Sequence, residues 1–265
     1  MTDRATGPDG EILVSREGAH VARVTLNRPA QANAVSPRLA IELEAAVAAL
    51  EADDSVVAVV LSAAGTRAFC AGADLKAIAA GQRDQLYTER GGFAGFVQAP
   101  RTKFWIACVE APALAGGLEI ALACDMIVAS TNATFGLPEV QRALIAAAGG
   151  LARLPRRVPR GLALEMIATG EAVTATRAHA AGLVNHLTPS GEAFYKAVAV
   201  AERVAANAPL AVAESLAVAR RADDLTEAEL FALSRAAADR NYRTQDFAEG
   251  PRAFIEKRAP IWVGA

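Results

Sequence analysis

Two glutamates and two glycine-bearing loops are the places where this sequence could do chemistry. Glu119 lies within Gly117-Leu118-Glu119-Ile120-Ala121-Leu122-Ala123, an otherwise apolar helical stretch. Burying an unpaired carboxylate is costly, so its presence there demands a reason. Glu139 follows Phe135-Gly136-Leu137-Pro138, a second apolar setting. A helix out and a strand back can bring the two acids into one pocket. Their pKa values would then separate, one raised, which suits a proton donor beside a proton acceptor. The residues alone leave a plainer reading open, with Glu119 facing solvent and Glu139 in the first turn of the next helix.

The first loop is Ala68-Phe69-Cys70-Ala71-Gly72-Ala73-Asp74-Leu75, and the second is Leu114-Ala115-Gly116-Gly117-Leu118-Glu119. In each, small residues lead from a strand pattern to a helix pattern. Glycine lets a ligand approach the backbone closely, and the first N–H groups of a helix lack intrahelical partners. Such donors suit a carbonyl oxygen that gains negative charge, each one lowering a barrier by roughly 3 kcal/mol. An ordinary strand-to-helix turn and a Gly pair that only packs closely are the plainer alternatives. Neither G-x-G-x-x-G nor G-x-x-x-x-G-K-[ST] occurs. His20, His179 and His186 are scattered, without metal spacing, so no metal site is expected. Cys70 reads as a small buried cysteine rather than a nucleophile.

The elements that must position these groups are legible from periodicity. Residues 11–16 and 20–26 read as a hairpin around Gly18. Residues 36–52 read as a helix opened by Ser36-Pro37, with Leu39, Leu43, Val47 and Leu50 on one face. The apolar runs 56–61, 104–109 and 126–129 read as strands covered on both faces. Strand, loop, helix, strand is an α/β pattern with a partly parallel sheet. From about 160 onward helices are expected at 162–169, 174–181, 192–206, 210–221, 226–239 and 244–257. Their apolar stripes must be buried on the core or on another copy, so self-association is expected.

The chain has 265 residues, 27 Lys+Arg, 29 Asp+Glu and a net charge of −2, a balance that argues against a nucleic-acid partner. With 53% hydrophobic and 21% charged residues, disorder is excluded. Three cysteines without a CxxC pair point to a reducing, cytoplasmic setting. The polar stretch Met1 to Glu11 has no apolar segment and is expected to fray. Phe104 to Ala129 is long enough to span a bilayer, but Glu110, Glu119 and Asp125 argue against a membrane helix.

Four stretches resemble the enoyl-CoA hydratase (crotonase) family: Leu26-Asn27-Arg28-Pro29 with Asn33-Ala34, Ala68 to Leu75, Leu114 to Asp125, and Phe135 to Glu139. Gly182-Leu183-Val184 and the tail from Glu249-Gly250-Pro251 to Pro260 are similar too, the tail resembling carnitinyl-CoA dehydratases. The resemblance implies a crotonase-like spiral of ββα units with a C-terminal helical region. It divides the chain into a core carrying an acyl-CoA site (1–195) and a helical oligomerisation region (196–265). It implies an acyl-CoA hydro-lyase that adds or removes water at the α,β-bond, needing no cofactor beyond the CoA of its substrate. By residue, it implies oxyanion-binding N–H groups at Ala73 and Gly116. Glu119 would activate water, Glu139 would deliver a proton to the α-carbon, and Lys257 would reach CoA from a neighbouring subunit. Trimers or dimers of trimers are the expected assembly.

Departures from the family pattern fall at Phe104, Ala111, Ala115 and Ala146-Ala147, several bordering the acyl pocket. The segment 81–102, with Tyr87, Phe93 and Phe96, falls where the pattern varies with substrate. Double-bond isomerisation by a single glutamate is the alternative on the same fold. RNA binding would need a lysine-rich helix, and residues 36–52 hold Arg38 as their only basic residue.

Overall fold

Every second residue of three central strands belongs to one apolar core and the residues between to another. The computed structural model describes residues 9–265. β1 (Ile12–Arg16) and β2 (Val21–Leu26) form the expected hairpin. α1 (Pro37–Glu51) follows, its N-cap Ser36 accepting the Leu39 N–H and Pro37 opening the helix. Leu39, Leu43, Val47 and Leu50 are buried, as their spacing requires. Next come β3 (Ala58–Ala63), α2 (Leu75–Ala79), the short pair β4 (Tyr87–Thr88) and β5 (Gly92–Phe93), β6 (Phe104–Val109), β7 (Ala113–Leu114) and α3 (Gly116–Ala123). β8 (Met126–Ser130) and β9 (Thr134–Gly136) lead to α4 (Gly150–Arg157), α5 (Arg160–Thr169), β10 (Val173–Thr174), α6 (Ala175–Ala180) and β11 (His186–Thr188). α7 (Ala193–Ala205), α8 (Pro209–Ala219), α9 (Glu227–Asn241) and α10 (Gln245–Glu256) complete the chain.

The large sheet has the order β1-β2-β3-β6-β8-β11, parallel from β2 onward. On one face, Val59, Leu61, Trp105, Ala107 and Ile127 join α1 and α3 in the main core. On the other, Val60, Ile106, Cys108 and Val128 meet Ala193, Ala197 and Ala201 of α7. Burial on both faces is why these strands read as unbroken apolar runs. A small sheet, β10-β9-β7, lies beside the large one. Successive turns place one strand in each: β3 then the Cys70 bridge to Ala113, β6 then β7, β8 then β9. The chain is therefore a spiral, as expected.

Several expectations need correction. The strand expected at 56–61 runs from Ala58 to Ala63. Val56 still belongs to the preceding turn, bonding to Asp53 O, while polar Ser62 is accommodated by Thr25 Oγ1 at 3.1 Å. α4 was not expected, because two glycines and the internal Pro155 disguise its period. The 195/196 division falls inside α7, whose buried alanines make it part of the sheet's second core. Of the tail expected to fray, residues 1–8 lie outside the described residues. Glu11 is ordered: its carboxylate pairs with Arg28 at 3.0 Å and accepts from the Ser36 hydroxyl.

Beyond α7 the chain changes character. No residue of α8 is buried, although most of its side chains are apolar. α8 is tied to the core at its C-terminal end, where Arg220 meets Asp125 at 2.8 Å. Phe254, Ile255 and Ile261 are exposed. No helix among the described residues is long and apolar enough to cross a membrane.

Candidate active site

The two glycine-bearing loops meet. Val35 N–H bonds to Gly72 O at 2.8 Å and Asp74 N–H to Val35 O at 2.9 Å. These bonds fix Ala73 from both sides, while its own N–H has no acceptor among the described residues. Leu114 N–H bonds to Cys70 O at 3.0 Å and Ala115 N–H to Gly136 O at 2.9 Å. Gly116 then opens α3, and its N–H likewise has no acceptor. A Cβ on Gly72 would lie 3.0 Å from the Gly116 nitrogen, so the two loops are in contact there. Gly117 is required for the same closeness: a Cβ on it would lie 2.0 Å from Cys70 O. Ala115 between the strand and the helix has φ 52° and ψ −129°, a region that only glycine enters freely.

Glu119 is one turn into α3 and 3% exposed. Its Oε1 accepts the Gly150 N–H at 2.8 Å, the first donor of α4. Burial pushes its carboxyl up to about 7; the Gly150 N–H opposes the rise, and the charge of Glu139 adds to it. Glu139 sits in the 3-10 turn Pro138–Arg142. Its Oε2 is buried without a partner, and burial raises its carboxyl, with Arg142 opposing. Glu119, poised near neutrality, can exchange protons with a bound molecule, and burial shifts Glu139 in the same direction.

Both glutamates, Ala73 and Gly116 line one cavity of about 650 Å³. Leu86, Phe93, Leu144 and Ile145 give it an apolar wall. Lys257 does not line it; it is exposed at the C-cap of α10. The three histidines are elsewhere: His20 Nδ1 lies 3.0 Å from Ser55 O and His179 Nδ1 lies 2.7 Å from Val184 O. Burial pushes the Cys70 thiol to about 12, which leaves it inert at neutral pH. No group of three His, Cys, Asp or Glu able to hold a metal occurs among the described residues. Sequence reasoning missed Gly150 as the partner of Glu119 and Arg83 and Arg142 as lining groups. Gly149-Gly150 ahead of a helix was the available signal, of the same kind as Gly116-Gly117.

The family model described as enoyl-CoA hydratase/isomerase matches residues 16–265. The enoyl-CoA hydratase EchA19 of Mycobacterium tuberculosis is 38% identical, over 98% of this chain and 98% of its own. A carnitinyl-CoA dehydratase of Proteus mirabilis is 37% identical, over 92% and 95%. The crystal structure of an enoyl-CoA hydratase from Mycobacterium tuberculosis is 40% identical, covering 97% of this chain and 100% of that one, with a TM-score of 0.92.

Proposed function

This chain belongs to the enoyl-CoA hydratase/isomerase family, and from that premise we propose how its cavity acts as an acyl-CoA hydro-lyase. The thioester oxygen is held by the N–H groups of Ala73 and Gly116. Neither donor is engaged by another group among the described residues, so neither must break a bond to receive it. As water adds at the β-carbon, negative charge moves onto that oxygen. Donors fixed in advance stabilise it by roughly 3 kcal/mol each. Glu119 in its carboxylate form takes a proton from the water, and Glu139 in its acid form delivers one to the α-carbon. Dehydration of a 3-hydroxyacyl-CoA uses the same groups in reverse. No cofactor beyond the substrate's own CoA takes part.

The observation that carries this reading is the single cavity lined by both glutamates and both unengaged N–H groups. Raised carboxyls serve it directly. With Glu119 near 7, base and acid forms are both populated at neutral pH. Exposed Phe254, Ile255 and Ile261, with the unburied α8, give the C-terminal segment a surface for joining copies into a trimer or dimer of trimers. In such an assembly Lys257 would serve a neighbour's CoA, since it does not line its own chain's cavity. A cytoplasmic location fits three free, buried cysteines.

Loss of the enoyl-thioester absorbance on adding the enzyme tests the reading. Both Glu119→Gln and Glu139→Gln are expected to lower kcat by about 100-fold to 10,000-fold. Retention of most activity in Glu119→Gln, with abolition in Glu139→Gln on a substrate whose double bond migrates, would assign isomerisation instead.

A further inference from the structure

Two guanidiniums without partners among the described residues line the reacting cavity. Arg83 opens the 3-10 turn Arg83–Leu86, and Arg142 closes the turn that carries Glu139. Both line the same cavity as the glutamates. Among the described residues neither makes an ion pair or a side-chain hydrogen bond, whereas Arg28, Arg156, Arg177 and Arg220 each meet a carboxylate. Each therefore keeps a full fork of N–H donors free. They come from two different turns of the chain.

Their surroundings locate them. Burial raises the Tyr87 hydroxyl, Glu119 adds to that rise and Arg83 opposes it. Burial likewise raises Glu139, and Arg142 opposes. Arg142 lies three residues from Glu139 on the same 3-10 turn, Arg83 opens the turn that leads into Tyr87, and all four residues line the one cavity. The phosphates of CoA lie at the far end of the pantetheine arm, away from the thioester. The same cavity has an apolar wall, with Leu86, Leu144 and Ile145.

We propose that the acyl group taken by this site is an apolar chain ending in a carboxylate, the monothioester of a dicarboxylic acid, held by Arg83 and Arg142. This rests on the acyl-CoA reading above. Charge supports it: a carboxylate brought near Glu119 and Glu139 meets repulsion that two guanidiniums offset, and a planar fork grips a carboxylate through two parallel bonds. Both arginines are exposed in the free chain, so the ligand must order them. A quaternary ammonium end would meet two like charges and is disfavoured.

Binding of unreactive ligands tests this apart from catalysis. Two saturated acyl-CoA thioesters of equal chain length, one ending in methyl and one in carboxylate, are titrated calorimetrically into the wild type, R83M, R142M and the double variant. The wild type is expected to bind the carboxylate ligand about tenfold to a hundredfold more tightly. The double variant is expected to lose that preference while binding the methyl ligand as before. R142K should restore only part of it, because an ammonium lacks the fork. Equal losses for both ligands would assign the arginines to the phosphates of CoA and overturn the proposal. So would the absence of a preference in the wild type, or a trimethylammonium-ended analogue binding as well as the methyl ligand. Thermal melts of each variant separate lost recognition from lost folding. Failure to turn over any enoyl-CoA would sink the hydro-lyase reading and leave this binding result standing.

Discussion

Asp74 and Glu119 stand at the starts of two helices that each follow a parallel strand, and the fold treats them in opposite ways. Asp74 caps α2: Oδ1 accepts the Lys76 N–H at 2.9 Å, and Oδ2 meets Arg28 at 3.1 Å. Burial pushes its carboxyl up, but the Lys76 N–H and Arg28 outweigh burial and hold it below the ordinary value. α3 has no side-chain cap, and Glu119 receives the Gly150 N–H but has no cation paired with it among the described residues. There burial wins. An acid that builds the fold is paired on both oxygens. An acid available for proton transfer is left short of partners, and the folded state is less stable for holding it.

Substitution of the two acids should therefore shift stability in opposite directions. From its ordinary 4.5 up to about 7, an unfolded Glu119 gives up its proton while the folded one keeps it. The folded state binds more protons in that window, so stability falls as pH rises through it. Glu119→Gln keeps an oxygen for the Gly150 N–H and carries no charge. Urea unfolding at pH 8 is expected to show a gain of up to about 3 kcal/mol, vanishing below pH 4.5. A loss at pH 8 would break the comparison.

Asp74→Ala is the smaller, opposite effect, a loss of about 1–2 kcal/mol at neutral pH from the missing cap and ion pair. That loss should shrink as pH falls through the lowered pKa of the native acid, since its contribution exists only while it is charged. Smaller still is Ala115→Gly, which sharpens the contrast between the loops. It relieves a backbone held at φ 52°, while the freer glycine of the unfolded chain offsets part of the gain. A net rise of about 1 kcal/mol is expected by the same measurement, and a fall would show that Ala115 is not strained.

The sequence carried the elements whose burial follows a period. Ser36-Pro37 and the Leu39, Leu43, Val47 spacing announced α1, and unbroken apolar runs announced β6 and β8, because both faces of those strands are covered. The spiral was not derivable from the same signals. Its second sheet consists of strands of two or three residues, too short to show alternation. Glu119 stood out as an acid among apolar neighbours, and Glu139 by its apolar approach. What no local pattern could show is that Gly150, thirty-one residues on, donates to Glu119. Arg142 was hidden for another reason: an arginine at a turn's end looks like any solvated charge until the cavity beside it is seen.

The direct test of the central claim is the carbonyl stretch of an enoyl-CoA labelled at the thioester carbon, recorded free and bound to Glu119→Gln, which holds the substrate without rapid turnover. Gripped by the Ala73 and Gly116 N–H groups, the bound carbonyl should be polarised and its band should move to lower frequency than in solution. A band at its solution position would contradict the account.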